Sequence, residues 1–269
     1  MGGIITIITT RKGAYMEIIK QKTITAPKIL IYGTAGVGKS TLASQMPAPL
    51  FLDIEGGLNY MDVARTPLLK DPDEFYKVLL EINKTPVGEY KTIVIDSVDW
   101  FVRRLSEKIA GVGYDENGNK VQGLVALDKT LNRNLMDANG GYGKAKEELE
   151  NHIRSKLLRL LDLLNENGYG IVLIAHAYVT GVLDDDGTNV EKVLPKIDPP
   201  TIGKKPIAMP AFIEWADNVF YLKKVNGDRI LQVESDNYAT AKNRLGLSGE
   251  YNLKDANIQQ ILGLEKKEK

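Results

Sequence analysis

A glycine-rich stretch near the amino terminus limits what this chain can fold into more than any other feature. Residues 31–40 read IYGTAGVGKS. The spacing G-x-x-x-x-G-K-[ST] is carried by Gly33, Gly38, Lys39 and Ser40. An apolar run at 28–32 precedes it, and residues 41–46 favour a helix that stops at Pro47. Strand, glycine loop and helix are the context that this spacing requires, so a chance glycine turn is the weaker interpretation.

The chemistry of such a loop is phosphate binding. Glycines let the backbone pass close to phosphate oxygens, and the N–H groups at the helix start point at the anion. We expect Lys39 to reach the β- and γ-phosphates and Ser40 to offer its hydroxyl to Mg²⁺. The expected ligands are therefore ATP and Mg²⁺. The residues predicted to contact the nucleotide are Gly33, Thr34, Ala35, Gly36, Val37, Gly38, Lys39, Ser40 and Thr41.

Composition excludes several other classes of protein. The chain has 269 residues, 43% hydrophobic and 26% charged, which is ordinary for a globular protein. Its formal net charge is zero, so binding to nucleic acid would need a local basic patch. Without cysteine there are no disulfides or thiolate metal sites, and a reducing compartment is consistent with this. No apolar run reaches membrane-spanning length, and the amino terminus is a poor signal peptide, so we expect a cytoplasmic protein and no membrane contact.

Strand-like runs alternate with helical segments along the chain, the βαβ pattern of a parallel sheet. The predicted strands are 28–33, 50–54, 91–96, 170–175, 217–223 and 229–234. The clearest helix spans about 144–166, where leucine and isoleucine recur at helical spacing. The expected fold is α/β, with a mostly parallel central sheet flanked by helices and an antiparallel carboxyl-terminal edge.

Four segments stand outside this pattern. Residues 1–15 are read as an extension without assigned function, and the main domain is expected at 16–250. Residues 111–143 are rich in glycine and asparagine and resemble an insertion. Residues 181–210 lack periodicity and are predicted to be a long loop, which in compact domains is usually functional or disordered. Residues 251–269 are expected to form a helix and a charged tail.

Acidic residues follow two of the predicted strands. Asp96 ends an apolar strand, where a carboxylate beside the glycine loop can hold Mg²⁺ through water; the alternative is a carboxylate that only caps the strand. Asp99, three residues further on, is expected to cap a helix.

The second acidic strand end is FLDIEGG, which contains Asp53 and Glu55. A glutamate here could polarise a water for attack on the γ-phosphate, or it could be an ordinary loop acid. If the base were Asp53 instead, the assignment to Glu55 would be wrong by two residues.

Three further side chains are candidates for the site. His176 directly follows an apolar strand and either reports the presence of the γ-phosphate or is a satisfied structural histidine. His152 is given the structural interpretation only. Lys242 and Arg244, two residues apart, either complete a neighbouring subunit's site as arginine-finger-type cations or form a surface basic pair.

Taken together, the segments GTAGVGKST, FLDIEGG, IVIDSVD, LIAHA and AKNRLG resemble the RecA/DnaB-type ATPase core in content and order. MEIIKQKTITAPKILIYG, GGYGKA and AFIEWADNVFYL narrow the resemblance to small phage-encoded RecA-like ATPases linked to single-strand annealing and recombination. It covers about residues 16–250. RecA itself tends to have glutamine where this chain has His176, and no separate DNA-binding domain is evident.

The resemblance implies a fold, a reaction and partners. It implies a RecA-like core, ATP hydrolysis with Glu55 as catalytic residue, Asp96 at the magnesium site, and Lys242 and Arg244 facing the next subunit of a ring or filament. Single-stranded DNA is the implied substrate, a phage or host single-strand-binding protein is a further expected partner, and the host cytoplasm is the implied location.

The resemblance also implies where DNA would bind, since the loop after the His176 strand faces the central axis in RecA-like folds. The four lysines in that stretch are Lys192, Lys196, Lys204 and Lys205. The alternative is a solvated loop whose lysines offset the acids at 184–186. The 111–143 insertion is the next candidate for a DNA site.

Other functions remain open at this stage. A helicase-like or helicase-loading motor belongs to the same class. A P-loop small-molecule kinase is a different enzyme, although no arginine-rich lid is evident in the sequence. A nucleotide-switched structural or packaging protein is a third class. Stimulation of ATP hydrolysis by single-stranded DNA separates the first class from the kinase.

Overall fold

The computed structural model describes residues 26–85, 87–109, 144–183, 186–198 and 206–265, together with the backbone of four short strands elsewhere. The strands are β1 (Ile5–Thr9), β2 (Tyr15–Ile19), β3 (Lys28–Gly33), β4 (Pro49–Asp53), β5 (Thr92–Asp96), β6 (Gly113–Tyr114), β7 (Lys120–Val121), β8 (Gly170–Leu183), β9 (Asn189–Pro195), β10 (Asn218–Val225), β11 (Asp228–Gln232) and β12 (Glu250–Asn252).

Eight of these strands form the central sheet. Five parallel strands lie in the order β4-β5-β8-β3-β10, and β11 and β12 continue the sheet antiparallel beyond β10. The eighth, β9, pairs antiparallel with the distal part of β8. The prediction of a mostly parallel sheet with an antiparallel carboxyl-terminal edge is confirmed.

The helices are α1 (Lys39–Ala43), α2 (Pro72–Asn83), α3 (Val98–Ile109), α4 (Lys144–Asn151), α5 (Arg159–Glu166), α6 (Ala208–Trp215) and α7 (Ile258–Leu262). The predicted helix at 144–166 is present, but a π-helical stretch, His152–Leu158, separates α4 from α5. No helix in the described ranges combines the length and the apolar character needed to cross a bilayer.

Two apolar cores cover the two faces of the sheet because side chains alternate along each strand. In β3, Leu30 and Tyr32 face the larger core, beneath α2 to α6. Ile29 and Ile31 face the smaller core, beneath α1 and α7. Buried parallel strands of this kind read as continuous apolar runs, which explains why the sequence revealed them.

The predicted loop at 181–210 is largely wrong. Strand β8 continues to Leu183, β9 occupies 189–195 and α6 begins at Ala208. The acidic residues and the glycine of LDDDG suggested a loop, but β8 and β9 form a hairpin there, and its two strands pair over seven residues. Residues 199–205 lie outside the described part of the chain.

The remaining segment boundaries can be compared with these elements. The boundary between residues 15 and 16 falls inside β2, which pairs with β1. Of the 111–143 insertion, only the backbones of β6 and β7 lie within the described residues. At the carboxyl terminus, residue 251 falls inside β12, and α7 packs its buried face into the smaller core. The charged tail from 266 onward lies outside the described residues.

Candidate nucleotide-binding site

The glycine loop lies where β3 ends and α1 begins. A Cβ on Gly33 would stand 2.3 Å from the carbonyl oxygen of Leu222 in β10, so no larger residue fits there. Gly38, directly before α1, has φ of 102°, a left-handed conformation that favours glycine. These two positions need glycine for different reasons, close approach in one case and backbone conformation in the other.

Lys39 turns its side chain back into the loop. Its Nζ donates to the carbonyl oxygens of Gly33, at 3.1 Å, and Thr34, at 3.0 Å, and the residue is only 7% exposed. Burial lowers the pKa of Lys39, although the nearby carboxylates of Asp96, Asp99 and Glu55 oppose the shift. A cation held in this position inside a phosphate loop is suited to an anionic ligand.

Ser40 and Asp96 bring two oxygen ligands together from separate elements. Ser40 Oγ, in the first turn of α1, donates to Asp96 Oδ2, at the end of β5, over 2.6 Å. Burial raises the pKa of Asp96 to about 6, against the opposing effect of the Ser40 hydrogen bond. Hydroxyl and carboxylate oxygens are the donors that Mg²⁺ prefers, and they leave positions for substrate oxygens and water. This donor set fits Mg²⁺.

Asp53 and Glu55 differ sharply in their surroundings. Asp53 is 3% exposed, and its Oδ1 accepts the backbone N–H of Gly56 at 2.7 Å. Glu55 is half-buried, and its Oε2 accepts the hydroxyl of Ser97 at 3.1 Å. Both residues lie near the carboxyl end of β5, but it is the carboxylate of Glu55 that binds Ser97, while that of Asp53 binds the backbone.

His176 lies between two carboxylates. Its Nε2 is 3.6 Å from Glu55 Oε1, and its Nδ1 is 2.9 Å from Asp99 Oδ2. The hydrogen bond to Asp99 raises the pKa of His176, while burial opposes the shift. The prediction that Asp99 caps a helix is wrong, because Asp99 lies within the first turn of α3 and its carboxylate binds His176.

His152 lies in the π-helical stretch between α4 and α5. Its ring is partly buried and lies 3.4 Å from the ammonium of Lys156, one helical turn away. Burial lowers the pKa of His152, and the Lys156 charge adds to that effect.

Lys242 and Arg244 lie away from this chain's own glycine loop. The backbone of Lys242 pairs with Val219, three residues nearer the amino end of β10 than Leu222, the partner of Gly33. Lys242 Nζ donates to the carbonyl oxygens of Ile213, Glu214 and Ala216 at the end of α6, at 3.0, 3.1 and 2.6 Å. Arg244 is 65% exposed and contacts Asp217 at 3.0 Å. Lys242 therefore caps the carboxyl end of α6, and Arg244 is the more exposed of the two cations.

The four lysines proposed for DNA divide into two pairs. Lys192 is on β9, opposite Thr180 of β8, and Lys196 directly follows β9 and is exposed. Lys204 and Lys205 lie outside the described residues.

Two contacts of the site were not foreseen from the sequence. Arg229, on β11, donates from Nε to the carbonyl oxygen of Val37 at 3.1 Å and lies against Gly38. Ser97 binds Glu55, as noted above. Arg229 and Val37 are 192 residues apart in the chain, so no local pattern could have paired them.

The arrangement of glycine loop, Ser40 and Asp96 occurs in a chain that also matches a known family model. The model described as AAA domain, AAA_24, matches residues 25–245, more than four fifths of the chain. The chain belongs to the AAA_24 family of AAA domains. It is a P-loop ATPase domain, and the loop, Asp96, Glu55 and His176 all lie inside the region matched to AAA_24.

Two individual proteins resemble this AAA domain. The SPbeta prophage-derived uncharacterized protein YorG of Bacillus subtilis (strain 168) is 28% identical over 206 residues, covering 75% of this chain and 52% of YorG. The chain thus spans about half the length of that relative. The crystal structure of the RadB recombinase is 17% identical, covering 85% of this chain and 89% of its own, with a TM-score of 0.44. A likeness of this size says nothing about activity.

Proposed function

We propose that the chain binds ATP with Mg²⁺ and hydrolyses it to ADP and phosphate. The observation that carries the proposal is the meeting of three groups at the carboxyl edge of the sheet: the Lys39 ammonium, the Ser40–Asp96 pair and the Glu55 carboxylate. Lys39 and Ser40 come from the first turn of α1, Asp96 from the end of β5 and Glu55 from the segment after β4, and together they supply a cation, metal ligands and a base.

The loop and Lys39 hold the phosphates, through backbone N–H groups and the ammonium. Mg²⁺, when bound, neutralises phosphate charge. Glu55 takes a proton from the attacking water, whose oxygen forms a bond to the γ-phosphorus while the bond to the ADP oxygen breaks. Ser97 donates to one oxygen of Glu55 and leaves the other facing His176, so the carboxylate has a defined orientation.

We infer that single-stranded DNA is the substrate on which this ATPase acts. The hairpin of β8 and β9 continues directly from His176, and alternation places Tyr178, Thr180 and Lys192 on one of its faces. Tyr178 is 36% exposed; Tyr238, whose carbonyl oxygen accepts from the Val193 N–H of β9, is 44% exposed. Exposed aromatic rings beside lysines suit stacked bases and a phosphate backbone.

The proposal includes assembly as a ring or filament with ATP between subunits. Arg244 supports it, because this mostly exposed cation, which contacts Asp217 at the surface, is remote from its own loop and could meet another subunit. Lys242 would take part only after leaving the end of α6, where three carbonyl oxygens hold it. We further propose that the ATPase acts in single-strand annealing or recombination, with helicase loading as the alternative.

The test is ATP hydrolysis measured with and without single-stranded DNA, using the wild-type chain and Lys192→Gln/Lys196→Gln. We expect DNA to raise the rate for the wild type and to raise it much less for the variant, whose rate without DNA is unchanged. Lys77→Gln/Lys224→Gln removes two exposed lysines elsewhere and serves as the matched control. Phosphate transfer to a metabolite without any effect of DNA would favour a small-molecule kinase instead.

A further inference from the structure

Asp99 holds His176 at two points. One carboxylate oxygen, Oδ2, lies 2.9 Å from the ring atom Nδ1, and the other, Oδ1, accepts the backbone N–H of His176 at 3.3 Å. The carboxylate is well buried, in the first turn of α3. Ring and backbone of His176 are therefore both fixed by one side chain from a neighbouring helix.

This double contact determines which nitrogen of the ring faces the candidate base. Because carboxylates accept hydrogen bonds, Nδ1 carries a proton toward Asp99. In the charged ring, which Asp99 favours, Nε2 carries the second proton and faces Glu55 Oε1 at 3.6 Å. Three charged groups face the ring: Asp99 from α3, Glu55 from the segment after β4, and Lys39 from α1. Asp99 makes no hydrogen bond to the glycine loop within the described residues; its charge acts on Lys39 through space, and its hydrogen bonds to the site are those to His176.

The backbone of His176 also holds the base of the hairpin formed by β8 and β9. The carbonyl oxygen of His176 accepts the N–H of Lys196 at 2.7 Å, directly after the end of β9. His176 is thus both the residue beside Glu55 and the last residue of β8 before it pairs with β9.

We propose that Asp99 is a positioning residue that orients His176, with Nε2 toward Glu55, and so sets the orientation of the base in the hydrolysis proposed above. This inference rests on the proposed function for its catalytic consequence. The contact itself is a property of the free protein and can be tested without any hydrolysis.

The first test is a proton NMR titration of the histidine rings in the nucleotide-free protein. The chain has two histidines, so His152→Gln leaves His176 as the single ring signal. In this background, Asp99→Asn should lower the midpoint of the His176 titration, because the partner that favours the charged ring is lost. Glu107→Gln, which removes a partly exposed carboxylate on the same helix that pairs with Arg103, should leave the His176 midpoint unchanged.

An unchanged His176 midpoint in folded Asp99→Asn protein overturns the proposal, whatever the ATPase activity. If Asp99→Asn does not fold, the two histidines of the wild-type chain are compared instead. The proposal expects the titration midpoint of His176 to lie above that of His152. The reverse order overturns the proposal.

The second test is a double-mutant cycle on the rate of hydrolysis. Asp99→Asn should lower kcat by about 10-fold or more with little change in KM, since a charge-assisted hydrogen bond that orients the site is lost. In the His176→Gln background the same change should have almost no effect on kcat. Equal losses in both backgrounds overturn the positioning role. Absence of hydrolysis in the wild type would refute the proposed function and leave the NMR result standing.

Discussion

Gly33 and His176 are paired neighbours in the central sheet, one at the end of β3 and the other on β8. The first glycine of the phosphate loop and the histidine that faces Glu55 therefore lie side by side at the carboxyl edge. Asp53 and Asp96 pair in the same way between β4 and β5. The candidate site is thus built from the ends of four neighbouring parallel strands, where α/β folds bind ligands.

Replacing Lys39 by alanine should abolish nucleotide binding or turnover. The ammonium is already held inside the loop by two carbonyl oxygens, and no other lysine or arginine of the described residues occupies that position. Titration with a fluorescent ATP analogue measures the loss, and Lys77→Ala on the exposed face of α2 is the control. Wild-type hydrolysis by Lys39→Ala would contradict the assignment of the loop.

Glu55→Gln should bind ATP normally and hydrolyse it at least about 10²-fold more slowly, because an amide cannot accept the proton of water. Single-turnover hydrolysis beside equilibrium binding separates the two effects.

Asp53→Asn tests whether Asp53 rather than Glu55 is the base. Its buried carboxylate binds the backbone at Gly56, so the substitution should lower stability rather than act selectively on hydrolysis. A selective loss of hydrolysis in Asp53→Asn, with normal activity in Glu55→Gln, would move the base by two residues.

Gly38→Ala should lower the free energy of unfolding more than backbone conformation alone explains, because the Arg229 side chain would have to move away from Val37. A Cβ would lie 2.7 Å from Arg229 Nε, and φ is 102°. Gly227→Ala, with φ of 92° and open space around it, carries a similar conformational cost of about 1–2 kcal/mol without the contact. Urea unfolding should show a larger loss for Gly38→Ala, partly restored by adding Arg229→Ala. Equal losses would show that the Arg229 side chain moves aside without a measurable cost.

Asp96→Asn should stabilise the nucleotide-free chain at neutral pH. The folded pKa of Asp96, about 6, lies above its ordinary 3.8, so burying the ionised carboxylate costs folding free energy above pH 6. That cost, up to about 3 kcal/mol, decreases as the pH falls from 6 to 4, where the folded form is already protonated. Urea unfolding at pH 4 and pH 7.5 should show the gain only at the higher pH, while Mg²⁺-dependent hydrolysis is lost. A gain of equal size at both values would contradict the link to ionisation.

Lys242→Ala and Arg244→Ala should differ in stability. Lys242→Ala leaves three carbonyl oxygens at the end of α6 without their donor, so it should lower the free energy of unfolding by about 1–3 kcal/mol. Arg244 is mostly exposed, so its loss should cost roughly 0–1 kcal/mol of stability. Urea unfolding measures both.

Arg244→Ala should nevertheless hydrolyse ATP at least about 10³-fold more slowly if it completes a neighbour's site. Mixing it with Glu55→Gln should then restore part of the activity, since some interfaces combine an intact Glu55 with an intact Arg244. A mixture that co-assembles and stays inactive would refute a shared site.

The sequence predicted most of the sheet because its strands are continuous apolar runs, and it located the glycine loop because that spacing is local. It failed at 181–210, where acids and prolines resemble a loop although β8 and β9 pair across them. It also failed for Asp99 and Arg229, whose partners are 77 and 192 residues away. Contacts of that kind depend on how helices and edge strands pack, which no local pattern encodes.

Strand β8 has 14 residues, and the part beyond His176 leaves the main sheet to pair with β9. The hairpin is also tied to the glycine loop's own strand: Tyr32, the residue before Gly33, donates its hydroxyl to the carbonyl oxygens of Thr240, at 2.6 Å, and Val193 of β9, at 3.3 Å. The hairpin is thus joined to the central sheet both by the continuity of β8 and by the contact of Val193 with β3. A displacement of β3 or β8 at the phosphate end would therefore move the base of this hairpin, whose tip lies about 20 Å away.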